Sequence, residues 1–477
     1  MSTSKTIFKN STILFVATVF IKLLSFPVTI LLIRYLGNIG YGQYAFAVAF
    51  VGMFSLISDF GFNYVIVREV AKDKTSAKKY LDNVISIKII LSLLMLILLG
   101  ICSFFIQKPE IVKILIYMLG IELILTGFSA ALRSFFQAYE IMWYDAVTKI
   151  IEKIVWVVLI LLVIYNKLTL VHIGLALIIS ALIGCIITNM FIYKKISRFH
   201  WKFDKQLWKQ IIIESAPFAL TNVFVFIYFR IDSIMLSFMV GDAAVGLYSA
   251  AYKIIDALVL IPGILMTVMY PVFSRYYNEN KTLLKSSFEK FMHYVIILIV
   301  PVVAGIYILA DKIILLLYGS EFQGSIIALK ILIFASLFSY LNGAMITLLN
   351  AIGKQKIGTL NTGVSAFVNV VLNIILIPLM SYSGAAIATV AAEASFFIMT
   401  VYFLRKYDYD LNYVNFIIKP LISTILMILS ILLLKQNSIF LQILVGGIVY
   451  CISMILLRGI TKEDLNLFKK MVKKNEN

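Results

Sequence analysis

Charged side chains are scarce in this chain. Only 14% of its 477 residues are Asp, Glu, Lys or Arg, whereas 62% are hydrophobic. Soluble globular proteins contain about a quarter charged residues and about half apolar ones. The composition therefore excludes an ordinary water-soluble domain. It predicts a protein embedded in a lipid bilayer, which accommodates apolar runs of about 20 residues.

Cysteine and histidine are also sparse, with three of each. The cysteines lie in separate apolar runs and form no CxxC pair, and the histidines form no HExxH pair. This pattern argues against a disulfide framework and a zinc site, and neither a metal nor an organic cofactor is expected. The residues are Cys102, Cys185, Cys451, His172, His200 and His293.

Long apolar runs bounded by polar clusters fill the chain instead. They predict an all-α integral membrane protein with about 14 transmembrane helices and short loops. The first run continues to Ile33, which favours a retained membrane helix over a cleaved signal peptide. The predicted helices are 11–33, 41–66, 83–106, 111–135, 146–165, 168–193, 210–238, 244–270, 289–317, 324–350, 359–380, 383–404, 415–434 and 438–457.

Lysine and arginine are concentrated in alternate loops and in both tails. Because cytoplasmic loops retain these residues, both termini are predicted to lie on the cytoplasmic side of the plasma membrane. The net charge of +18 then reflects membrane topology, and no nucleic-acid partner is expected. The opposite side offers little beyond Arg34, Lys108, Lys167, Lys312 and Lys435.

An internal repeat is visible in two places. The segment from Leu36 to Ala47 aligns with that from Val240 to Ala251, with matching glycines and tyrosines, and each joins the first and second helices of a six-helix set. Residues 136–138 and 349–351 form a second match at the fourth-to-fifth connection. An even number of helices per copy makes the repeat parallel, with a pseudo-two-fold axis along the membrane normal.

This repeat predicts the domain organisation. Residues 1–195 form an N-lobe of six helices, and residues 196–404 form a C-lobe of a cytoplasmic linker and six helices. Residues 405–457 add helices 13 and 14, and residues 458–477 form a basic cytoplasmic tail. Two such lobes leave a cleft between them, which suits transport by alternating access.

The motifs resemble the polysaccharide-export branch of the MOP (multidrug/oligosaccharidyl-lipid/polysaccharide) superfamily, which includes Wzx-type flippases. The resemblance covers nearly the whole chain in the number and order of its helices. It is carried by Arg34-Tyr-Leu-Gly-Asn-Ile-Gly-Tyr-Gly-Gln-Tyr44, Asp59-Phe-Gly-Phe, Val67-Arg-Glu69, Phe136-Gln-Ala138 and Leu349-Asn-Ala-Ile-Gly353.

The resemblance implies a V-shaped, MATE-like pair of bundles that translocates oligosaccharide on a polyprenyl diphosphate to the outer leaflet. In some members of this superfamily a proton or sodium gradient drives the step. The expected partners are the lipid-linked glycan, membrane lipids and polysaccharide assembly proteins, and the protein is expected to act as a monomer.

Charged residues at membrane depth are candidates for the transport site, because each costs about 2.5–3.5 kcal/mol at mid-helix on insertion scales. Lys22 shares a helix face with Thr18, Ser25 and Thr29. It lines the cavity, extends to the membrane interface or pairs with a carboxylate such as Asp59. The cations predicted to bind a diphosphate are Lys22, Arg34, Arg230 and Lys253, and Lys88 and Lys330 are weaker candidates.

Carboxylates and amides inside the spans form two further candidate groups. The carboxylates are interpreted either as carriers of a coupling ion or as partners of the cations, and the amides either as ligands of sugar or sodium or as inter-helix hydrogen bonds. The carboxylates are Asp59, Asp232, Asp256, Glu122 and Glu393. The amides are Asn222, Asn361, Asn369 and Asn373, and Ser365 falls in register with the last three.

Other functions fit the sequence less well. A glycosyltransferase, ligase or polymerase needs a catalytic external loop, and here the loops are short and no nucleophile–base pair is present, so an enzyme is not expected. A MATE-like multidrug or cation antiporter and a peptidoglycan lipid-precursor flippase remain the alternatives. The apparent 14 helices and the membrane-embedded cations favour export of an anionic lipid over drug efflux.

Overall fold

A computed structural model describes residues 3–410 and 413–459 of the chain. This described part consists of helices joined by short turns and contains no strand. Its α-helices are α1 (Thr3–Asp59), α2 (Phe62–Lys72), α3 (Ala77–Phe105), α4 (Glu110–Ala138), α5 (Met142–Tyr165), α6 (Leu170–Lys195), α7 (Lys205–Met239), α8 (Asp242–Leu258), α9 (Leu260–Glu279), α10 (Lys281–Tyr318), α11 (Ser325–Ala351), α12 (Gln355–Lys406), α13 (Tyr413–Leu433) and α14 (Ile439–Leu456).

The predicted all-α membrane architecture is confirmed. In the described part, ten helical segments are long and apolar enough to cross a membrane. Two of the long helices contain a residue with a left-handed backbone, Gly37 (φ 65°) in α1 and Ser381 (φ 53°) in α12. Those breaks fall where the sequence predicts the first-to-second and eleventh-to-twelfth connections, so each long helix accounts for two predicted spans.

Two predicted helices are interrupted. The helix predicted over 41–66 ends at Asp59, because Phe60 (φ 36°) and Gly61 (φ 77°) adopt left-handed conformations before α2 begins. The helix predicted over 244–270 divides at Val259 into α8 and α9. Pro262 has no N–H to donate to the carbonyl of Leu258. That carbonyl instead accepts a hydrogen bond of 2.6 Å from the hydroxyl of Tyr340.

The chain divides into two compact units, the first ending at Ser249 and the second beginning at Ala250. The first unit contains α1–α7 and the start of α8. Its apolar core has one cluster around Phe46, Phe50 and Leu99 and another around Phe62 and Phe135. The predicted lobe boundary after residue 195 follows the sequence repeat rather than compactness, and it stays a prediction.

The second unit contains the rest of α8 and α9–α14. The C-terminal pair, α13 and α14, packs on α10 through a cluster that includes Leu309, Met427 and Met454. The hydroxyl of Tyr450 donates to the carbonyl of Ile297 in α10 at 2.6 Å. The pair is therefore an integral part of the second unit. The predicted basic tail, 458–477, lies outside the described residues beyond residue 459.

Candidate functional site

The two copies of the repeat meet through their glycines. A Cβ atom on Gly42 would lie 1.7 Å from the carbonyl oxygen of Asp242, and one on Gly246 would lie 1.9 Å from that of Asn38. The contact is reciprocal, since Gly42 corresponds to Gly246 and Asn38 to Asp242 in the alignment. Only glycine permits this backbone approach, which explains why the repeat retains a glycine at both positions.

An ion pair lies beside this glycine contact. The Nζ atom of Lys108, in the α3–α4 turn, is 2.5 Å from Oδ1 of Asp242, and the side chains are only 9% and 11% exposed. Ser237 donates its hydroxyl to the same carboxylate oxygen at 2.7 Å. The ammonium also lies over the ring of Phe46, 4.8 Å from its centroid. The ion pair therefore links the α3–α4 turn to the α7–α8 turn.

A buried lysine pairs with the carboxylate at the end of α1. Lys88 of α3 is 0% exposed, and its Nζ atom donates to Oδ1 of Asp59 at 3.0 Å and to the carbonyl of Ser58 at 2.8 Å. A Cβ on Gly127 of α4 would lie 3.4 Å from this Nζ atom, so the glycine leaves room for the ammonium. The interpretation that Asp59 neutralises Lys22 is wrong: its ion-pair partner is Lys88.

A second buried charge network links α4 and α5. Arg133 lies 3.5 Å from Asp145 and 3.3 Å from Glu152, and Asp145 is 0% exposed. Lys149 reaches the same Asp145 carboxylate at 2.9 Å from the following turn. Against α6, the Glu152 carboxylate occupies space left by Gly184, where a Cβ would lie 2.7 Å from Oε2. This network was not predicted from the sequence, although residues 145 and 149 have the helical i, i+4 spacing of an ion pair.

The second unit contains neutral polar pairs along α12. Asn361 donates to Thr400 at 2.9 Å, Ser365 bonds to Ser395 at 3.1 Å, and Asn373 donates to Asn369 at 2.9 Å. The three asparagines are 0% exposed. The interpretation of these side chains as hydrogen bonds within and between helices is supported for Asn361, Ser365, Asn369 and Asn373.

The predicted cations have different surroundings. Lys22 and Arg230 are exposed on their helices, and in the described part of the chain neither forms an ion pair. Lys253 lies 3.7 Å from Asp256, its i, i+3 neighbour on α8. Arg34 is exposed just before the break at Gly37. Asp232 and Asp256 are candidate partners of Arg230 by sequence, but among the described residues Asp232 accepts a hydrogen bond from Tyr248 and Asp256 pairs with Lys253.

The predicted carboxylates and the remaining amide are likewise separated. Asp232 is 1% exposed and accepts a hydrogen bond of 2.6 Å from the hydroxyl of Tyr248. Glu393 is 7% exposed and accepts from Nδ2 of Asn342 at 3.0 Å. Glu122 is half-buried in α4 and interacts electrostatically with Glu152 and Lys153, and Asn222 is half-buried in α7.

Lys330, a weaker candidate, pairs with Asp311 at 3.0 Å. It borders an apolar groove of about 550 Å³ lined by Tyr307, Phe334 and Ile387. Throughout residues 3–410 and 413–459, no three His, Cys, Asp or Glu side chains converge in a way that could hold a metal ion.

Two family models match the chain. The sequence model described as "Polysaccharide biosynthesis protein" matches residues 7–277, more than half of the chain. The model described as "MatE" matches residues 217–375. Together the two matches cover the chain from its first helix into α12.

Individual membrane proteins are also similar to the chain. The chain is 23% identical over 409 residues, 84% of each chain, to a Haloferax volcanii protein named "Probable low-salt glycan biosynthesis flippase Agl15". It is 28% identical over 228 residues to an uncharacterized membrane protein of Methanocaldococcus jannaschii, and this match spans 46% of the chain and 44% of the relative.

The fold is shared with a solved transporter structure. The structure titled "Lipid II flippase MurJ, inward closed conformation" superposes with a TM-score of 0.76 at 18% identity, covering 94% of this chain and 99% of that one. At this identity the likeness establishes the fold alone.

Proposed function

The chain belongs to the polysaccharide biosynthesis protein family of multi-pass membrane flippases, and from this premise we propose that its substrate is an oligosaccharide carried on a polyprenyl diphosphate. The flippase moves this lipid from the cytoplasmic to the outer leaflet of the plasma membrane. Both termini are cytoplasmic in this proposal, because the basic loops lie on the same side as the tails.

The observation that carries the substrate class is the pair of unpartnered cations. Lys22 and Arg230 lie within apolar helices, and neither has a carboxylate partner in the described residues. An isolated cation at membrane depth is costly unless an anion or water reaches it. A diphosphate supplies that anion, and the guanidinium of Arg230 presents the fork that suits phosphate oxygens. Arg34, also in the first unit, extends the proposed cationic surface.

The reciprocal contact of Gly42 and Gly246 supports alternating access. Two copies of one repeat meet there backbone to backbone, and the Lys108–Asp242 pair lies beside them. In the proposed orientation this contact closes the substrate's route at the outer side of the membrane. Opening it requires that the two copies separate and that the ion pair breaks. A proton or sodium gradient drives the cycle, and Asp232 and Glu393 are the proposed ion carriers because both carboxylates are buried.

A multidrug or cation antiporter fits these charges less well. Lys22 and Arg230 would repel a cationic drug, because like charges in a low-dielectric site interact unfavourably. A peptidoglycan-precursor flippase also carries a polyprenyl diphosphate, so the cations accept either lipid. The glycan attached to the diphosphate distinguishes the two.

The decisive experiment is a flipping assay with the purified chain in proteoliposomes. The substrate is a polyprenyl-diphosphate oligosaccharide with a fluorescent sugar, and an impermeant reductant reports which leaflet holds it. We expect Arg230→Ala to slow flipping at least about tenfold, the effect of losing one charge-assisted phosphate contact. Arg230→Lys should retain part of the rate.

The matched control is Lys167→Ala, which removes an exposed cation from the turn after α5. It should flip at the rate of the unmodified chain. A wild-type rate for Arg230→Ala, with normal insertion, would show that the diphosphate does not use this cation. In cells, loss of the protein should leave diphosphate-linked glycan on the cytoplasmic leaflet.

A further inference from the structure

The linker between α6 and α7 is bound to α3 by its backbone. The N–H groups of His200, Lys202 and Asp204 donate to the side chains of Asp82 (2.8 Å), Ser86 (3.2 Å) and Asn83 (3.1 Å). Alternate N–H groups of an extended segment point the same way, so these three bonds indicate that residues 200–204 are extended and hold them against the first turns of α3. The linker is therefore a fixed segment of the first unit.

The end of this linker is fixed as well. Asp204 caps α7 by accepting a hydrogen bond from the N–H of Leu207 at 3.1 Å, and its other oxygen lies 3.4 Å from Nζ of Lys79. The indole N–H of Trp208 donates to Oδ1 of Asn83 at 2.9 Å. The segment therefore cannot rotate to hide its outward-facing side chains without breaking several hydrogen bonds.

Two aromatic side chains on this fixed segment face away from the protein. Trp201 is 56% exposed and Phe203 is 66% exposed, although Phe203 also contacts Trp208 edge to face. They are two residues apart in an extended segment and so share one face. Tryptophan is enriched at the bilayer interface, and an exposed phenylalanine beside it adds apolar surface for the acyl-chain boundary.

Cations surround these aromatic rings. Residues 194–209 contain six Lys or Arg and a single carboxylate, that of Asp204, which is already engaged by Lys79 and the α7 backbone. Clusters of four to eight basic residues beside a membrane helix bind anionic lipid headgroups. The six are Lys194, Lys195, Arg198, Lys202, Lys205 and Lys209, all exposed.

We propose that residues 198–209, the interfacial segment, bind the cytoplasmic leaflet through anionic phospholipid headgroups, with Trp201 and Phe203 inserted at the boundary of the acyl chains. The leaflet assignment rests on the orientation in the proposed function, whereas the lipid contact itself does not. Backbone hydrogen bonds to α3 fix the segment at the level of Asp82 to Ser86, near the N-terminal end of that helix. The first unit is thereby held at a defined depth, while Lys202 and Lys205 select the headgroup charge.

The test measures quenching of Trp201 in nanodiscs. The full chain is placed in phosphatidylcholine nanodiscs in which the same fraction of lipid is brominated, either as phosphatidylglycerol or as phosphatidylcholine. Subtracting the emission of Trp201→Phe isolates the signal of Trp201 among the four tryptophans. We expect Trp201 to be quenched in both, and several-fold more strongly by the brominated phosphatidylglycerol.

Two variants separate charge from depth. Lys202→Gln combined with Lys205→Gln should remove most of the preference for phosphatidylglycerol, by up to about fivefold per lysine. Lys167→Gln, an exposed cation of another turn, should leave the preference unchanged. Equal quenching by the two lipids, or none by either, would overturn the proposal. No glycan is transported in this measurement, so failure of the flippase proposal would not alter its result.

Discussion

The two units differ in how they pair the polar side chains that lie between their helices. Both must place polar side chains between helices that cross a bilayer. The first unit uses buried ion pairs: Lys88 with Asp59, Arg133 with Asp145, and Lys108 with Asp242. The second unit uses neutral partners, such as Asn361 with Thr400 and Ser365 with Ser395. The buried Glu393 carboxylate is its ionisable exception, and that group accepts from the amide of Asn342.

This difference has an energetic consequence. A buried ion pair gains little net stability, because desolvation offsets the attraction, but removing one partner leaves an uncompensated charge. A neutral pair costs less to bury and less to break. The first unit should therefore respond strongly to single charge deletions and weakly to paired ones. The second unit should tolerate apolar replacement of either partner.

Deletion of Asp59 should have the largest effect. Asp59→Ala leaves the buried ammonium of Lys88 with the carbonyl of Ser58 as its remaining partner among the described residues. We expect a loss of about 3 kcal/mol, the low end of the range for breaking a buried pair, because the Asp59 side chain is 34% exposed. The measurement is thermal unfolding of the purified chain in detergent, followed by intrinsic fluorescence.

The double variant Asp59→Ala with Lys88→Met is the control for that deletion. It removes both charges, so it should recover most of the lost stability. If the double variant is as unstable as Asp59→Ala alone, the stability lies in packing around α3 rather than in the charge balance. A double variant that folds and still flips lipid would also exclude Asp59, a candidate from the sequence, as a required ion carrier.

The glycine contact tests whether charge or backbone proximity holds the repeat segments together. Gly42→Ala places a methyl group 1.7 Å from the carbonyl oxygen of Asp242, which forces the segments apart. We expect a loss of about 1–3 kcal/mol from overpacking and a matching loss of flipping rate. Lys108→Met combined with Asp242→Asn, which removes the ion pair without leaving an unpaired charge, should have the smaller effect on flipping.

Gly40→Ala is the matched control, because its new methyl group would meet only Leu36 of the same helix, at 3.4 Å. It should unfold and transport like the unmodified chain. If Gly40→Ala and Gly42→Ala behave alike, the loss comes from helix propensity or local flexibility and not from the contact between the repeat copies.

The sequence predicted the positions of the helices better than the ion-pair partners of the charged side chains. Apolar runs and the repeat located the spans, and the matched glycines indicated two equivalent turns. The pairing of Asp59 with Lys88 could not be read from spacing, because α3 must first pack against the end of α1. The break at Phe60 was hidden for a similar reason: Gly61 needs its left-handed turn to pack against Phe218, a residue far away in the chain.

Replacement of Asn361 should change the free energy of unfolding very little, in contrast to the charge deletions in the first unit. Asn361→Leu removes a hydrogen bond of 2.9 Å to Thr400, but the Thr400 hydroxyl still donates to the carbonyl of Phe396 at 2.8 Å. The expected change is within about 1 kcal/mol, since one neutral bond is exchanged for apolar burial. Thermal unfolding of Asn361→Asp, which introduces a charge at the same place, should show a clear loss.

The smallest effect is expected at the surface of the first unit, where a charge is hydrated. The N–H of Leu207 and the nearby Lys79 hold the pKa of Asp204 below its usual range. A depressed pKa contributes stability at neutral pH that is lost as pH falls through the folded value, so acidification below about pH 4 should loosen the start of α7. Emission of Trp208, which depends on the bond to Asn83, reports this change.

Asp204→Asn separates the charge from the cap, because asparagine caps helices about as well as aspartate. It should keep the Trp208 emission of the unmodified chain at neutral pH and lose the acid-dependent change. Asp204→Ala should alter the emission at every pH. If the acid transition persists in Asp204→Asn, it belongs to another carboxylate. The small effect expected for a hydrated surface charge would then remain to be measured at that other carboxylate.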